Sequence, residues 1–134
     1  MFLKNDDMEK KIVLTALAFG FLAIVLGAFG AHALKKVLGS EQLASFEVGV
    51  RYLMYHALFL LFLSVTQQLV PEQKATVFWL IVSGVLLFSG SIFLLTTSGI
   101  LGVNFKFLGP VTPIGGLLLL AGWAMLFVGI LKKF

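Results

Sequence analysis

The sequence predicts an all-α fold: a polytopic integral membrane four-helix bundle, a single membrane domain over residues 1–134. The chain is 60% hydrophobic and 12% charged, where soluble domains carry roughly 25% charged residues, and its mean hydropathy is +1.06. A domain this small has too much surface to hide that much apolar material from water. The charged residues also bracket four runs free of Asp, Glu, Lys and Arg, and each reaches the roughly 20 residues that cross hydrocarbon as a helix. A helix satisfies its own backbone in lipid, and these runs are too long for barrel strands.

The first run is Ile12–Leu34, with His32 its one ionisable group. Asp6 or Asp7 is placed to cap this helix, with Glu9 in its first turn and Gly39 at its C-terminal end, giving a span over 8–38. The triplet "AHA" at 31–33 mimics a signal-peptidase site. The apolar run is too long for a signal peptide and no soluble domain follows it, so the span is expected to be retained. The second run lies between Arg51 and Glu72, with His56 inside; Ser40 suits its N-cap, and the span is 41–69. Pro71 suits the first turn of a third helix over 72–97, making a tight hairpin with the second. The third run, between Lys74 and Lys106, is the longest of the four and leaves a surplus. Ser98–Val111 is therefore expected as a loop in which Phe105 and Phe107 hold Lys106 near the interface. The fourth run lies between Lys106 and Lys132. Thr112 is the expected N-cap and Pro113 the first helical residue of a span over 113–131.

Small residues recur on single helix faces. Ala16, Gly20, Ala23, Gly27, Gly30 and Ala31 share one stripe of the first helix. Gly84, Ser91 and Ser98 recur at seven-residue intervals in the third, as do Gly115, Gly122 and Gly129 in the fourth. Such rows let backbones approach closely in lipid, where packing drives association. Leucine at Gly122 is expected to separate helices, whereas Leu119 is expected to face lipid and to tolerate isoleucine. Some of these rows could equally serve a second copy of the chain.

The ionisable groups nearest the membrane gather at one end. His32 lies at the end of the first helix, and the second begins at the same face. There Leu43, Phe46, Val50, Leu53 and Ala57 form an apolar stripe. Glu47, Arg51 and Tyr55 form another, and Tyr52 with His56 a third. Glu47 four residues before Arg51 is the favourable order for a helical ion pair. Two readings stand side by side. The residues are interfacial anchors at headgroup depth, or His32, Glu47, Arg51, Tyr52, Tyr55 and His56 form a polar interfacial cluster that works as a site. His32 points away from the small stripe of its own helix, which opposes a meeting with His56.

Most chemistries lack their parts. With no cysteine, there is no disulfide, thiolate metal site or cysteine nucleophile. Catalytic residues, metal ligands and cofactors are not expected, and no hydrolase motif is present. A haem held by His32 and His56 meets the facing problem. The net charge of +4 does not point to nucleic acid, because the cations lie singly or in pairs at the ends of apolar runs. A proton-coupled exchanger needs a carboxylate within a span, and Glu47 is the deepest here. The expected function is thus that of a non-enzymatic structural or accessory subunit binding lipid or a membrane protein partner, including a homo-oligomer. A small transporter or channel is the alternative. Lys4, Lys10, Lys11, Lys74, Lys132 and Lys133 fall on one side of the membrane, and Lys35, Lys36, Arg51 and Lys106 on the other. That balance leans to both termini in the cytoplasm.

The stretches "GAFGAHALKK" at 27–36, "FEVGVRYLMYHAL" at 46–58, "FSGSIFLL" at 88–95 and "LGPVTPIGGLLLLAGW" at 108–123 resemble the domain-of-unknown-function 423 family. It is also called uncharacterised protein family 0382, and its animal relatives are transmembrane protein 256. The resemblance runs from about Ile12 to Lys133. It implies a four-helix protein of the bacterial plasma membrane. It also implies that Gly27, Gly30, His32, Arg51, Tyr52, His56, Ser89, Gly90, Pro110, Thr112, Pro113, Gly115 and Gly116 belong to the family pattern. It brings no activity.

Overall fold

The computed structural model describes residues 2–134, with side chains from Asp6 onward; Lys4, counted in the charge balance, lies outside the described side chains. Four helices follow one another: α1 over Phe2–His32, α2 over Ser40–Val65, α3 over Pro71–Leu101 and α4 over Val111–Leu131. All four are long and apolar enough to cross a membrane. Short 3-10 turns at Leu34–Lys36 and Lys106–Leu108 fill two of the connections. The 21 residues of α4 rise about 31 Å at 1.5 Å per residue, which matches the roughly 30 Å hydrocarbon layer. The 31 residues of α3 overshoot it.

Consecutive helices pack side by side, α1 on α2, α2 on α3 and α3 on α4, and α1 also touches α3. Helix α4 lies along α3 alone and reaches α2 only through side chains. The seams are built from small residues. A Cβ added at Gly20 would stand 3.9 Å from Ala57, one at Gly27 3.4 Å from Val50, and one at Gly30 3.1 Å from the Phe46 ring. Gly84 faces Leu119, Gly115 the backbone of Phe88, Gly122 the side chain of Ile81 and Gly129 that of Leu69. Between α2 and α3, Gly49 admits the Phe93 ring, which lies 5.0 Å from that of Phe46. The Ser89 hydroxyl donates to the Gly49 carbonyl at 2.8 Å. Ile12, Leu60, Leu63, Val77, Phe78, Ile81 and Val85 fill the centre.

The ends differ from the sequence expectations. Asp6 and Asp7 lie inside α1, which already begins at Phe2, so neither caps it. Helix α1 stops at His32 instead of 38, and a tight turn buries Leu34. Gly39 then serves as the N-cap of α2, with Ser40 its first helical residue. Helix α2 ends at Val65, short of 69. Pro71 opens α3 as expected, but α3 runs on to Leu101 before Gly102 closes it with φ +69°, the left-handed cap that glycine adopts freely. The hydroxyls of Thr96, Thr97 and Ser98 donate to carbonyls three or four residues back, which satisfies them within the helix. Helix α4 begins at Val111 with Pro110 as its N-cap. The Thr112 hydroxyl bonds Ser91 on α3 instead of capping its own helix. Ala31 is exposed and off the α1–α2 seam. Leu119 is buried against Gly84, not turned to lipid.

Four spans return the chain to its starting face. Reporter fusions at the N-terminus and after Lys133 should therefore report the same side of the membrane. Opposite sides would require an odd number of spans.

Candidate functional site

Where α4 stands off from α2, their side chains floor a groove that is open sideways. On α2, Tyr52, His56 and Phe59 point this way; on α4, Gly116, Leu120 and Trp123 do. The His56 ring is buried at 3% exposure. Its Nδ1 lies 2.7 Å from the Tyr52 carbonyl oxygen, and the Trp123 indole Nε1–H donates to its Nε2 at 3.0 Å. An indole N–H only donates and a carbonyl only accepts, so Nε2 is the bare acceptor and Nδ1 carries the proton. Both ring nitrogens are thereby engaged, and neither offers a lone pair to a metal. The Trp123 ring also packs on Phe59 at 4.6 Å between centroids.

Two glycines shape the wall opposite. Gly115 brings the α4 backbone against that of α3 at Phe88, and at Gly116 the Phe88 ring is 3.8 Å from where a Cβ would sit. The resulting groove, about 510 Å³, is lined by Tyr52, His56, Phe88, Pro113, Leu117, Leu120 and Trp123 among others. The Ser91–Thr112 and Ser89–Gly49 bonds set the start of α4 level with the turn of α2 that carries Arg51. From Pro113 to Trp123 a helix rises about 15 Å, half of the roughly 30 Å hydrocarbon layer. The groove thus runs from one interface to the middle of the bilayer.

The structure separates the residues grouped from sequence. Tyr52 and His56 belong to the groove, with the Tyr52 ring 4.8 Å from that of Phe88. Tyr55 is exposed, its ring 5.7 Å from that of Tyr52. Glu47 and Arg51 are exposed on the outer face of α2. They form no ion pair with each other, since the ion pair among the described residues joins Lys74 to Glu9. His32 is exposed at the last residue of α1, on the side away from the seam, and does not approach His56. Among the described residues no three His, Cys, Asp or Glu side chains gather as metal ligands. Two functional candidates escaped the sequence reading. Trp123 is one; an indole N–H in lipid must find an acceptor, and that was the available signal. Lys74 is the other: expected at the membrane face, it is 6% exposed.

Residues 26–116 match the family described as protein of unknown function DUF423. A UPF0382 membrane protein of Staphylococcus saprophyticus is 37% identical over 125 residues, 93% of this chain and 99% of the relative. Another from Staphylococcus haemolyticus is 38% identical over 125 residues, 93% and 98% of the two chains. The UPF0382 inner membrane protein YgdD of Escherichia coli K12 is 35% identical over 116 residues, covering 84% of this chain and 83% of its own. No solved structure matches the chain. With a family match across the middle of the chain and relatives along most of its length, this four-helix membrane protein belongs to the DUF423 (UPF0382) family.

Proposed function

We propose that the protein is a non-enzymatic accessory component of the bacterial plasma membrane that holds one membrane lipid by its hydrocarbon chain. The observation that carries this is the α2–α4 groove, one leaflet deep and apolar along its length, with a polar floor at His56 and Trp123. Apolar pockets of several hundred Å³ with few polar groups are the usual form of a small-molecule site. A polar pair at membrane depth is a functional candidate by default. With both termini in the cytoplasm, as the cation balance favours, the groove opens to the outer leaflet. Tyr52 then lines the end of the groove nearer the headgroups.

The test is lipid retention. Full-length protein extracted in mild detergent should carry phospholipid visible by native mass spectrometry. Gly116→Leu fills the groove without touching the backbone of α3, and should reduce that occupancy roughly tenfold, a loss of about 1.4 kcal/mol. Phe127→Leu, on an exposed face of α4 outside the groove, should leave it unchanged. Full retention by Gly116→Leu would sink the proposal. The competing reading, a small transporter or channel, requires a polar path between the faces. Leu60, Leu63, Val77, Phe78 and Ile81 occupy the interior between His56 and Lys74, and all are apolar. Solute flux through vesicles carrying the protein would favour that reading instead.

A further inference from the structure

At the face that carries the termini, a second cleft of about 450 Å³ opens beside Lys74, lined by Glu9, Ser64, Thr66, Gln67 and Pro71 among others. Lys74 is 6% exposed, and Lys is rarely so buried without a strong partner. Its ammonium donates to the Ser64 carbonyl oxygen at 3.1 Å, one of the carbonyls that the C-terminal end of α2 leaves open. Its counter-charge is Glu9, whose Oε1 stands 3.5 Å away. Charge-assisted contacts normally close to about 2.7–2.9 Å, so this one is loose. The Glu9 side chain is also 51% exposed, so a short move takes it to water. An ammonium has three donors. One is spent on Ser64, one reaches loosely towards Glu9, and one is left for the cleft.

The surroundings favour an anion. Pro71 and Lys74 belong to the first turn of α3, the positive end of its dipole. Gln67 adds an amide. The hydroxyls of Ser64 and Thr66 donate to the carbonyls of Leu61 and Phe62, so they contribute shape and not donors. Lys10, Lys11 and Lys132 lie towards the same end of the bundle, as do the exposed Asp6, Asp7 and Glu72. We propose that this cleft binds a phosphate group, with Glu9 as an internal counter-anion that the phosphate displaces. The occupant is a phosphate-bearing lipid headgroup or a soluble phosphate; both offer the oxyanion that would satisfy Lys74.

Removing Glu9, a partner of the buried lysine, should therefore improve binding. Full-length protein in detergent is loaded with phosphatidylglycerol or with diacylglycerol of the same chains, which lacks the phosphate, and bound lipid is counted by native mass spectrometry. Wild type should favour phosphatidylglycerol. Glu9→Gln should raise that preference roughly tenfold, the scale of one charge-assisted contact, and Lys74→Gln should abolish it. Because Lys74→Gln could also disturb the α2–α3 turn, Glu9→Gln decides. An unchanged or smaller preference in Glu9→Gln would mean that Lys74 only ties the turn together, and the site would be refuted. Competition by millimolar inorganic phosphate identifies a site open to soluble phosphate, and resistance to it identifies the lipid headgroup; either result keeps phosphate as the recognised group. The comparison with diacylglycerol separates this cleft from the α2–α4 groove, which holds hydrocarbon and does not read phosphate.

Discussion

Adding one methyl group at Gly115 should lower the detergent melting midpoint more than the same addition at Gly122. At Gly115 the new Cβ would press into backbone, 2.8 Å from the Leu87 carbonyl carbon and 2.9 Å from the Gly84 oxygen, and no rotamer change relieves that contact. Helix α4 must then slide away from α3, along which its whole length is packed. Overpacking costs about 1–3 kcal/mol where neighbours can adjust, and Gly115→Ala should lie at the top of that range. At Gly122 the obstacle is the Ile81 side chain at 2.6 Å, which can rotate, so Gly122→Ala should cost less while Gly122→Leu should approach Gly115→Ala. Gly90→Ala is the control, with nothing within 4 Å of the added carbon; it should be neutral or gain up to about 1 kcal/mol of helix propensity. Equal midpoints for Gly115→Ala and Gly90→Ala would mean that α4 is not seated on α3 as described.

Loss of the His56 ring should be the second large effect. In His56→Leu the Trp123 indole N–H loses its acceptor in a medium with no water to replace it, and an unsatisfied buried donor costs about 1–3 kcal/mol. Trp123→Phe should cost a similar amount by leaving Nε2 of His56 bare. The double variant should recover about 1 kcal/mol of the summed losses, the signature of two groups that act through one contact. Strict additivity in a melting series would show that the ring and the indole do not depend on each other. His56→Gln keeps an acceptor of similar reach and should retain part of the stability.

The helices were legible because hydrocarbon demands length and low charge, and both are local properties of a sequence. Their ends were less so, because tertiary contacts decide them. Thr112 reads as a cap until Ser91 on another helix claims its hydroxyl. Ser98 reads as the start of a loop until its hydroxyl is seen to bond back onto α3. The glycine rows announced close packing but not every partner: Leu119 reads as lipid-facing until Gly84 is found beneath it. Grouping ionisable residues by depth also proved too coarse. Depth put His32, Glu47, Arg51 and His56 together, whereas azimuth around α1 and α2 sends them to different faces. The partner of His56 lies 67 residues away, a distance across which periodicity carries no information. Lys74 sits where a membrane-face cation should, and only α1 and the α2–α3 turn closing over it make it buried.

The glycine seams have a consequence for how the protein is made. Apart from Leu69 beneath Gly129, the glycines of α1 meet α2 and those of α4 meet α3, each within a hairpin of sequence neighbours. The junction between the hairpins adds the apolar centre of Leu60, Leu63, Val77, Phe78 and Ile81, the Gly49–Phe93 contact, and the side-chain bonds made by Ser89, Lys74 and His56. Chains emerge from the ribosome N-terminal end first, so the α1–α2 pair has its complete internal interface before α3 has been synthesised. Insertion can then proceed hairpin by hairpin, with the shared apolar centre and its hydrogen bonds forming when the two dock.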